Sequence, residues 1–194
     1  MTAFMALFRN LPTSQKLMFP AALIAVVALW PSDQGLWSEP KGTQNRSLSS
    51  ASPVVIDGDT LEINGQWVRI FGIDAPDEPF VARELASAQL IGLIEREGGV
   101  TCGAPSPAPG SCNRAVASYG RANLECAFPS GAEIGATMVA HGFAVDYREF
   151  SGGRFASLTR DAANEGKGLW ARFPDQMVRL ANDRGASCSS APGA

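Results

Sequence analysis

The sequence lacks several features on which common classes of protein depend. It has a single histidine, His141, and its four cysteines form no close pair of the kind that holds a structural zinc ion. Its 16 lysines and arginines stand against 19 aspartates and glutamates, a net charge of -3. That balance argues against a protein that coats nucleic acid or an anionic membrane by bulk charge. No internal repeat is found, and the composition excludes collagen and coiled coils.

The chain contains enough apolar residues for one folded domain. Of its 194 residues, 45% are hydrophobic, which suffices to bury a sizeable core. Its 20 glycines and 13 prolines favour a loop-rich α+β or all-β domain over a helical bundle.

The N-terminus carries an uncharged run at residues 17–30, preceded by Arg9 and Lys16. Fourteen residues fall short of the roughly 20 that cross a bilayer, and the pattern is typical of a secretory signal. We therefore predict residues 1–31 to be a signal peptide or an N-terminal membrane anchor of an exported, periplasmic or extracellular protein. Cleavage is left open, and a buried core helix is the alternative.

Two further segments are predicted to lie outside the domain at 53–174. Residues 32–52 are rich in serine, proline, glycine and glutamine and are predicted to be a linker. Residues 175–194 are predicted to be a C-terminal tail.

The cysteines lie at positions 102, 112, 126 and 188. An even number behind an export signal favours disulfides. Cys102 and Cys126 end two β-like runs, which makes them the expected pair, and Cys112 and Cys188 remain. Free buried thiols are the alternative.

Patterning predicts strands first and helices later. Residues 53–73 alternate apolar and polar side chains around Asn64-Gly65, a strong two-residue hairpin signal. The remaining predicted elements are a helix at 81–97 that ends at Gly98-Gly99, a second hairpin at 115–128 that turns at Tyr119-Gly120, and helices at 132–140 and 153–165.

Carboxylates cluster at the two ends of the first hairpin. Asp57-Gly58-Asp59 precedes one strand and Asp74 follows the next, so closing the hairpin brings Asp59 and Asp74 to one edge. Two like charges are tolerated there mainly if a cation neutralises them, and hard oxygen ligands favour Ca²⁺ or Mg²⁺. An ordinary turn is the alternative, because aspartate and glycine suit turn geometry.

Two arginines accompany these carboxylates. Arg69 lies five residues before Asp74 on the same strand, on a face that alternation alone does not decide, and Arg121 follows the turn at Tyr119-Gly120. Carboxylates, arginines and a hard cation together are the groups that transfer a phosphoryl group to water.

These residues stand in motifs that resemble the staphylococcal nuclease (thermonuclease) family. The motifs, in order, are VVIDGDTLEINGQWVRIFGIDAPDE, SYGR, GATMVAHGFAVDY and LTRDAANEGKGLW, within residues 53–170. The resemblance implies an α+β fold, a five-stranded OB-fold β-barrel with three helices. It also implies Ca²⁺-dependent cleavage of phosphodiester bonds in single-stranded DNA or RNA.

The resemblance also implies roles for individual residues. Asp59 and Asp74 match the metal carboxylates, and the carbonyl of Ala75 matches a third ligand. Arg69 and Arg121 match the arginines that bind phosphate.

The position of the general base is altered. The family usually has glutamate there, and this chain has Asp77, one methylene shorter, followed by Glu78 as a possible substitute. Tyr119 and Tyr147 match positions that line the nucleotide pocket, although Tyr147 is also explained as a core residue.

The sequence therefore supports one main hypothesis and one rival. The main hypothesis is an exported or membrane-anchored, monomeric, Ca²⁺-dependent endonuclease. The rival, favoured by the altered base, is an inactive domain of the same fold that binds nucleic acid or protein in the cell envelope.

Overall fold

The computed structural model describes residues 47–106 and 120–185, all of which belong to the compact unit Gly42–Ala194. This part of the chain contains eight strands, and we number them in chain order. They are β1 Leu48–Ser50, β2 Val54–Asp57, β3 Thr60–Ile63, β4 Gln66–Ile70, β5 Ile73–Asp74, β6 Val100–Gly103, β7 Ala122–Ala127 and β8 Val145–Asp146.

The same residues form six helices. They are α1 Phe80–Glu97, α2 Ile134–Ala140, α3 Arg148–Ser151, α4 Ala156–Asn164, α5 Leu169–Arg172 and α6 Pro174–Arg184. Helices α3 and α5 are single turns of four residues each. The protein is thus α+β, as predicted.

Six strands form one mixed sheet in the order β1-β6-β7-β4-β3-β2. Strands β4 and β7 run parallel, and the other neighbours in the sheet are antiparallel. The sheet curls into a half-barrel, so that β1 approaches β3 although three strands separate them in the order. Strands β5 and β8 form a separate antiparallel pair.

The predicted hairpin turn is confirmed between β3 and β4. Asn64 and Gly65 both have positive φ, 54° and 79°, which is the geometry of the two-residue turns that suit twisted strands. On the strands that flank the turn, Leu61 and Ile63 are buried, and Leu61 pairs in the ladder with the buried Val68. Ile63 pairs with the partly buried Gln66. Alternation thus places one face of the hairpin on the hydrophobic core.

Helix α1 closes this core and begins one residue before its predicted start. Its buried positions, Ala82, Ala86, Leu90, Leu93 and Ile94, recur every three or four residues and form one apolar stripe. The helix ends where predicted, because Gly98 adopts the left-handed conformation and its N–H caps the carbonyl of Ile94.

The expected disulfide between Cys102 and Cys126 is confirmed. The two residues lie opposite each other on β6 and β7, and both side chains are buried. Cys112 and Cys188 lie outside the described residues, as does the first half of the predicted hairpin at 115–128.

Two expectations about the extent of the domain and one about its number of helices are wrong. The linker prediction fails at Leu48–Ser50, because these residues pair with β6 as strand β1. The tail prediction fails at 175–184, because this segment forms α6 and buries Met177 completely. Three helices are too few, since the described residues form six.

None of the helices within 47–106 and 120–185 is both long and apolar enough to cross a bilayer. The apolar run predicted as a signal or anchor, 17–30, lies outside these ranges.

Candidate functional site

The centre of the site is Arg69, whose guanidinium bridges two aspartates. Its Nη1 donates to Asp59 and its Nη2 to Asp74, and Nη2 also lies 3.3 Å from the carbonyl oxygen of Ile73. The three side chains are largely buried, with 14% of Arg69, 5% of Asp59 and 10% of Asp74 exposed. The predicted approach of Asp59 and Asp74 at one edge is therefore confirmed.

Strand register explains how these residues meet. Antiparallel pairing of β3 and β4 sets Arg69 opposite Thr60, directly after Asp59. Alternation turns Arg69 away from the core face that holds Val68 and Ile70, which decides the question that the sequence left open. Asp74 ends the short strand β5, where pairing with Val145 holds its backbone.

Asp59 is the most tightly held carboxylate of the site. Its Oδ2 accepts the N–H of Ala75 at 2.8 Å, and its Oδ1 accepts the hydroxyl of Thr60 at 3.0 Å. Burial raises the pKa of Asp59 from 3.8 to about 7, although the adjacent Arg69 lowers it and Asp74 adds to the rise. The groups around Asp59 therefore compensate only part of its negative charge.

Arg121 joins the same cluster through Thr60. Its Nη1 donates to the Thr60 hydroxyl oxygen at 3.3 Å, and the Thr60 hydroxyl in turn donates to Asp59. The parallel pairing of β4 and β7 brings this about, because it sets Ala122, the residue after Arg121, beside Val68. The two predicted arginines are thus brought together.

The predicted base lies at the rim. Asp77 is exposed to solvent, and its pKa is raised by partial desolvation first and then by the negative charges of Asp57 and Asp74. Its electrostatic coupling to Asp74 and Arg69 indicates that it belongs to the same neighbourhood. Glu78 is exposed beside it.

A third arginine reaches the site from residues 175–194, the segment whose sequence predicts a tail. Arg184 ends α6, and its Nε donates to Oδ2 of Asp74 at 2.7 Å. Its guanidinium carbon also lies 4.8 Å from the centre of the Tyr147 ring. Amphipathic spacing of Met177, Leu180 and Ala181 would have indicated the helix, but no local signal indicates a contact 110 residues away in sequence.

The remaining predicted residues divide as follows. Tyr147 is partly buried next to the site, since its ring packs against Arg184 and its N–H donates to the carbonyl of Gly72. Tyr119 lies outside the described residues. His141 ends α2, and its Nδ1 lies 3.1 Å from the side-chain amide of Gln89.

The carboxylate oxygens at the site supply some of the ligands that a cation would need. Asp59 and Asp74 face a common space, because one guanidinium contacts both. Nowhere in the described ranges do three or more histidines, cysteines, aspartates or glutamates gather in a way that would hold a metal ion. The protein therefore offers two hard carboxylates, and a cation there would need further oxygen ligands from backbone, water or substrate.

Comparison with known proteins places the chain near one curated protein. No family model matches it. It is 30% identical over 122 residues to the succinoglycan biosynthesis protein ExoI of Rhizobium meliloti (strain 1021). The match covers 62% of this chain and 64% of that protein, so the chain spans less than two thirds of the relative's length.

Proposed function

We propose that this protein is an exported, Ca²⁺-dependent nuclease that hydrolyses phosphodiester bonds in single-stranded DNA or RNA, acting as a monomer. The observation that carries the proposal is the cluster at the sheet edge. Arg69 bridges Asp59 and Asp74, and Arg121 contacts the hydroxyl that binds Asp59. Convergence of two arginines and two buried carboxylates suits a substrate with negative charge on phosphate oxygens.

The roles follow from position and charge. Asp59 and Asp74, with the carbonyl of Ala75, would hold a divalent cation, and such an ion, when bound, neutralises phosphate charge. Arg69 and Arg121 would bind the phosphate oxygens.

Two other groups would act at the rim of this cluster. Asp77 would accept a proton from the attacking water, and its raised pKa suits that task better than an ordinary aspartate. Tyr147 and Tyr119 would contact the nucleotide.

Sheet order supports the finer fold proposal, a five-stranded OB-type barrel. Without β1, the remaining strands lie in the order β6-β7-β4-β3-β2, with β4 and β7 parallel. We propose that these five strands form the barrel and that β1 is an addition at its edge. The buried disulfide is compatible with export, and the apolar run at 17–30 would direct or anchor it.

The decisive experiment incubates the purified full chain with single-stranded DNA and RNA, in Ca²⁺ and in EDTA. We expect cleavage in Ca²⁺ only. Replacing Arg69 by alanine would leave the buried Asp59 without its arginine partner and Asp74 with Arg184 alone. Removing one partner of a buried ion pair costs about 3–5 kcal/mol and threatens folding. Arg69→Lys keeps the charge but loses the bridge between the two aspartates, and should lower the rate about a hundredfold.

The matched control is Arg154→Ala. Arg154 also pairs with two carboxylates, Glu125 and Glu133, but contacts neither Asp59 nor Asp74. We expect this variant to retain the rate of the wild type. Binding without cleavage, unchanged in Arg69→Lys, would refute the nuclease and support the inactive binding domain.

Asp77→Glu should raise the rate if Asp77 is a shortened base, whereas no gain combined with a loss in Glu78→Ala would assign the base to Glu78.

The similarity to ExoI favours a second candidate, a role in the biosynthesis of succinoglycan or a similar polysaccharide. Deletion of the gene should then lower the polysaccharide yield of its host. Complementation with Arg69→Lys would show whether that role requires the cluster at Asp59 and Asp74.

A further inference from the structure

The last residue of helix α6, Arg184, contacts the site in an unusual way. A side chain that only balances a carboxylate commonly presents two donors to it, whereas Arg184 uses Nε alone on Asp74. Its guanidinium is held in place by the Tyr147 ring, 4.8 Å away. Among the described residues, neither of its terminal nitrogens makes a hydrogen bond.

Arg69 differs on each of these points. Both of its terminal nitrogens are occupied, one by Asp59 and the other by Asp74 and the Ile73 carbonyl. Its side chain is 14% exposed, against 37% for Arg184. In contrast to Arg69, Arg184 thus has a pair of terminal donors ready for an incoming anion.

Packing fixes where this guanidinium stands. Helix α6 buries Met177 and rests Leu180 and Ala181 on the hydrophobic core. It lies along β8, which pairs with β5, the strand that ends in Asp74. The helix therefore carries Arg184 to the site on a rigid support, which lowers the entropic cost of binding a ligand.

We propose that Arg184 is a substrate-binding residue that takes a backbone phosphate of the nucleic-acid strand on its two terminal nitrogens. The inference rests on the proposed nuclease function and adds a third arginine to it. Asp74 orients the guanidinium through its Nε and Tyr147 through its ring, and the phosphate binds to the two terminal nitrogens. Planar, paired recognition of phosphate is the geometry for which arginine is suited and lysine is not.

The test measures KM and kcat of the full chain in Ca²⁺ with a short single-stranded DNA substrate at several NaCl concentrations. Arg184→Ala should raise KM about tenfold and leave kcat within about threefold, since charged hydrogen bonds to the strand are lost. Loss of one phosphate contact should also reduce the slope of log(kcat/KM) against log[NaCl] by about 0.7. A purely structural arginine would not change that slope.

Two further variants make the result decisive. Arg179→Ala removes the same charge from the same helix and should leave KM and the slope unchanged. Among residues 47–106 and 120–185, Arg179 forms a side-chain hydrogen bond only to Gln176. Arg184→Lys keeps the charge and the salt slope but should raise KM, because one ammonium cannot replace the paired donors. An unchanged melting temperature of Arg184→Lys would show that α6 remains packed on the core in this variant.

The outcomes separate this inference from the function on which it rests. If the wild type does not cleave, the nuclease proposal fails and this one fails with it. If the wild type cleaves and Arg69→Lys does not, but Arg184→Ala keeps the wild-type KM and slope, only the role of Arg184 is overturned. A lower KM or faster cleavage in Arg184→Ala also overturns it, because Arg184 would then obstruct the site.

Discussion

Substitution of Gly58 by alanine should destabilise the protein and displace a predicted metal ligand together. Gly58 lies between Asp57 and Asp59, at the turn where β2 passes into β3. A Cβ atom at this position would stand 2.6 Å from the Cβ of Ala86 and 2.7 Å from that of Ala75. Ala86 and Ala75 are buried, with 0% and 6% of their surface exposed. Because an alanine methyl group has no other rotamer, neither can move away without a shift of the backbone.

The magnitude follows from these two contacts. Inserting a methyl group into a packed core costs about 1–3 kcal/mol, and two simultaneous clashes with rigid methyl groups place Gly58→Ala near the upper end. For a chain of this size, each kcal/mol corresponds to about 2–4 °C, so the melting temperature should fall by about 6–12 °C. Displacement of Asp59 should also lower the proposed Ca²⁺-dependent cleavage at temperatures well below the melting temperature.

Thermal and urea unfolding, followed by circular dichroism, measure the effect. The matched control is Gly103→Ala, because a Cβ there would have no neighbour within 4 Å. It should change the free energy of unfolding by no more than about 0.5 kcal/mol. Ala86→Gly removes one of the clashing methyl groups, so the double variant should recover about 1 kcal/mol or more relative to additivity. A melting temperature of Gly58→Ala equal to that of the wild type, or strict additivity with Ala86→Gly, would refute the argument.

Two further predictions concern the stability of the described fold. The Cys102–Cys126 bridge spans a sequence separation of 24, and a chain-entropy estimate gives it about 3.5 kcal/mol. The double alanine variant should lose about that amount in urea unfolding, and a loss below about 1 kcal/mol would contradict the estimate. Because burial raises the pKa of Asp59 from 3.8 to about 7, the native state binds this proton more tightly than the unfolded chain. In EDTA, stability should therefore fall as the pH rises from about 4 to 7, and Asp59→Asn should remove that part of the slope, whereas identical slopes would contradict the assignment.

Local patterns predicted those elements whose formation depends on neighbours in sequence. The turn at Asn64-Gly65 follows from the positive φ that these residues tolerate, and α1 follows from an apolar stripe ended by Gly98. The approach of Asp59 and Asp74 was also predictable, because the first hairpin brings its two ends together.

Elements held by distant partners were missed. Strand β1 has a polar, linker-like composition and becomes a strand only because Leu48–Ser50 bond to β6, some fifty residues away. The sequence predicts a tail where helix α6 forms and buries Met177 completely. In both cases the stabilising contacts lie outside any local window.

The amino-acid sequence by itself thus determined the α+β class, the first hairpin, helix α1, the disulfide between Cys102 and Cys126 and the approach of Asp59 to Asp74. Tertiary structure alone decided which face of β4 carries Arg69, why Gly58 has no room for a side chain and that Arg184 reaches Asp74. The physical reason is that alternation, turn geometry and helical spacing act over a few residues. Burial, charge compensation and close packing depend on which distant segments meet.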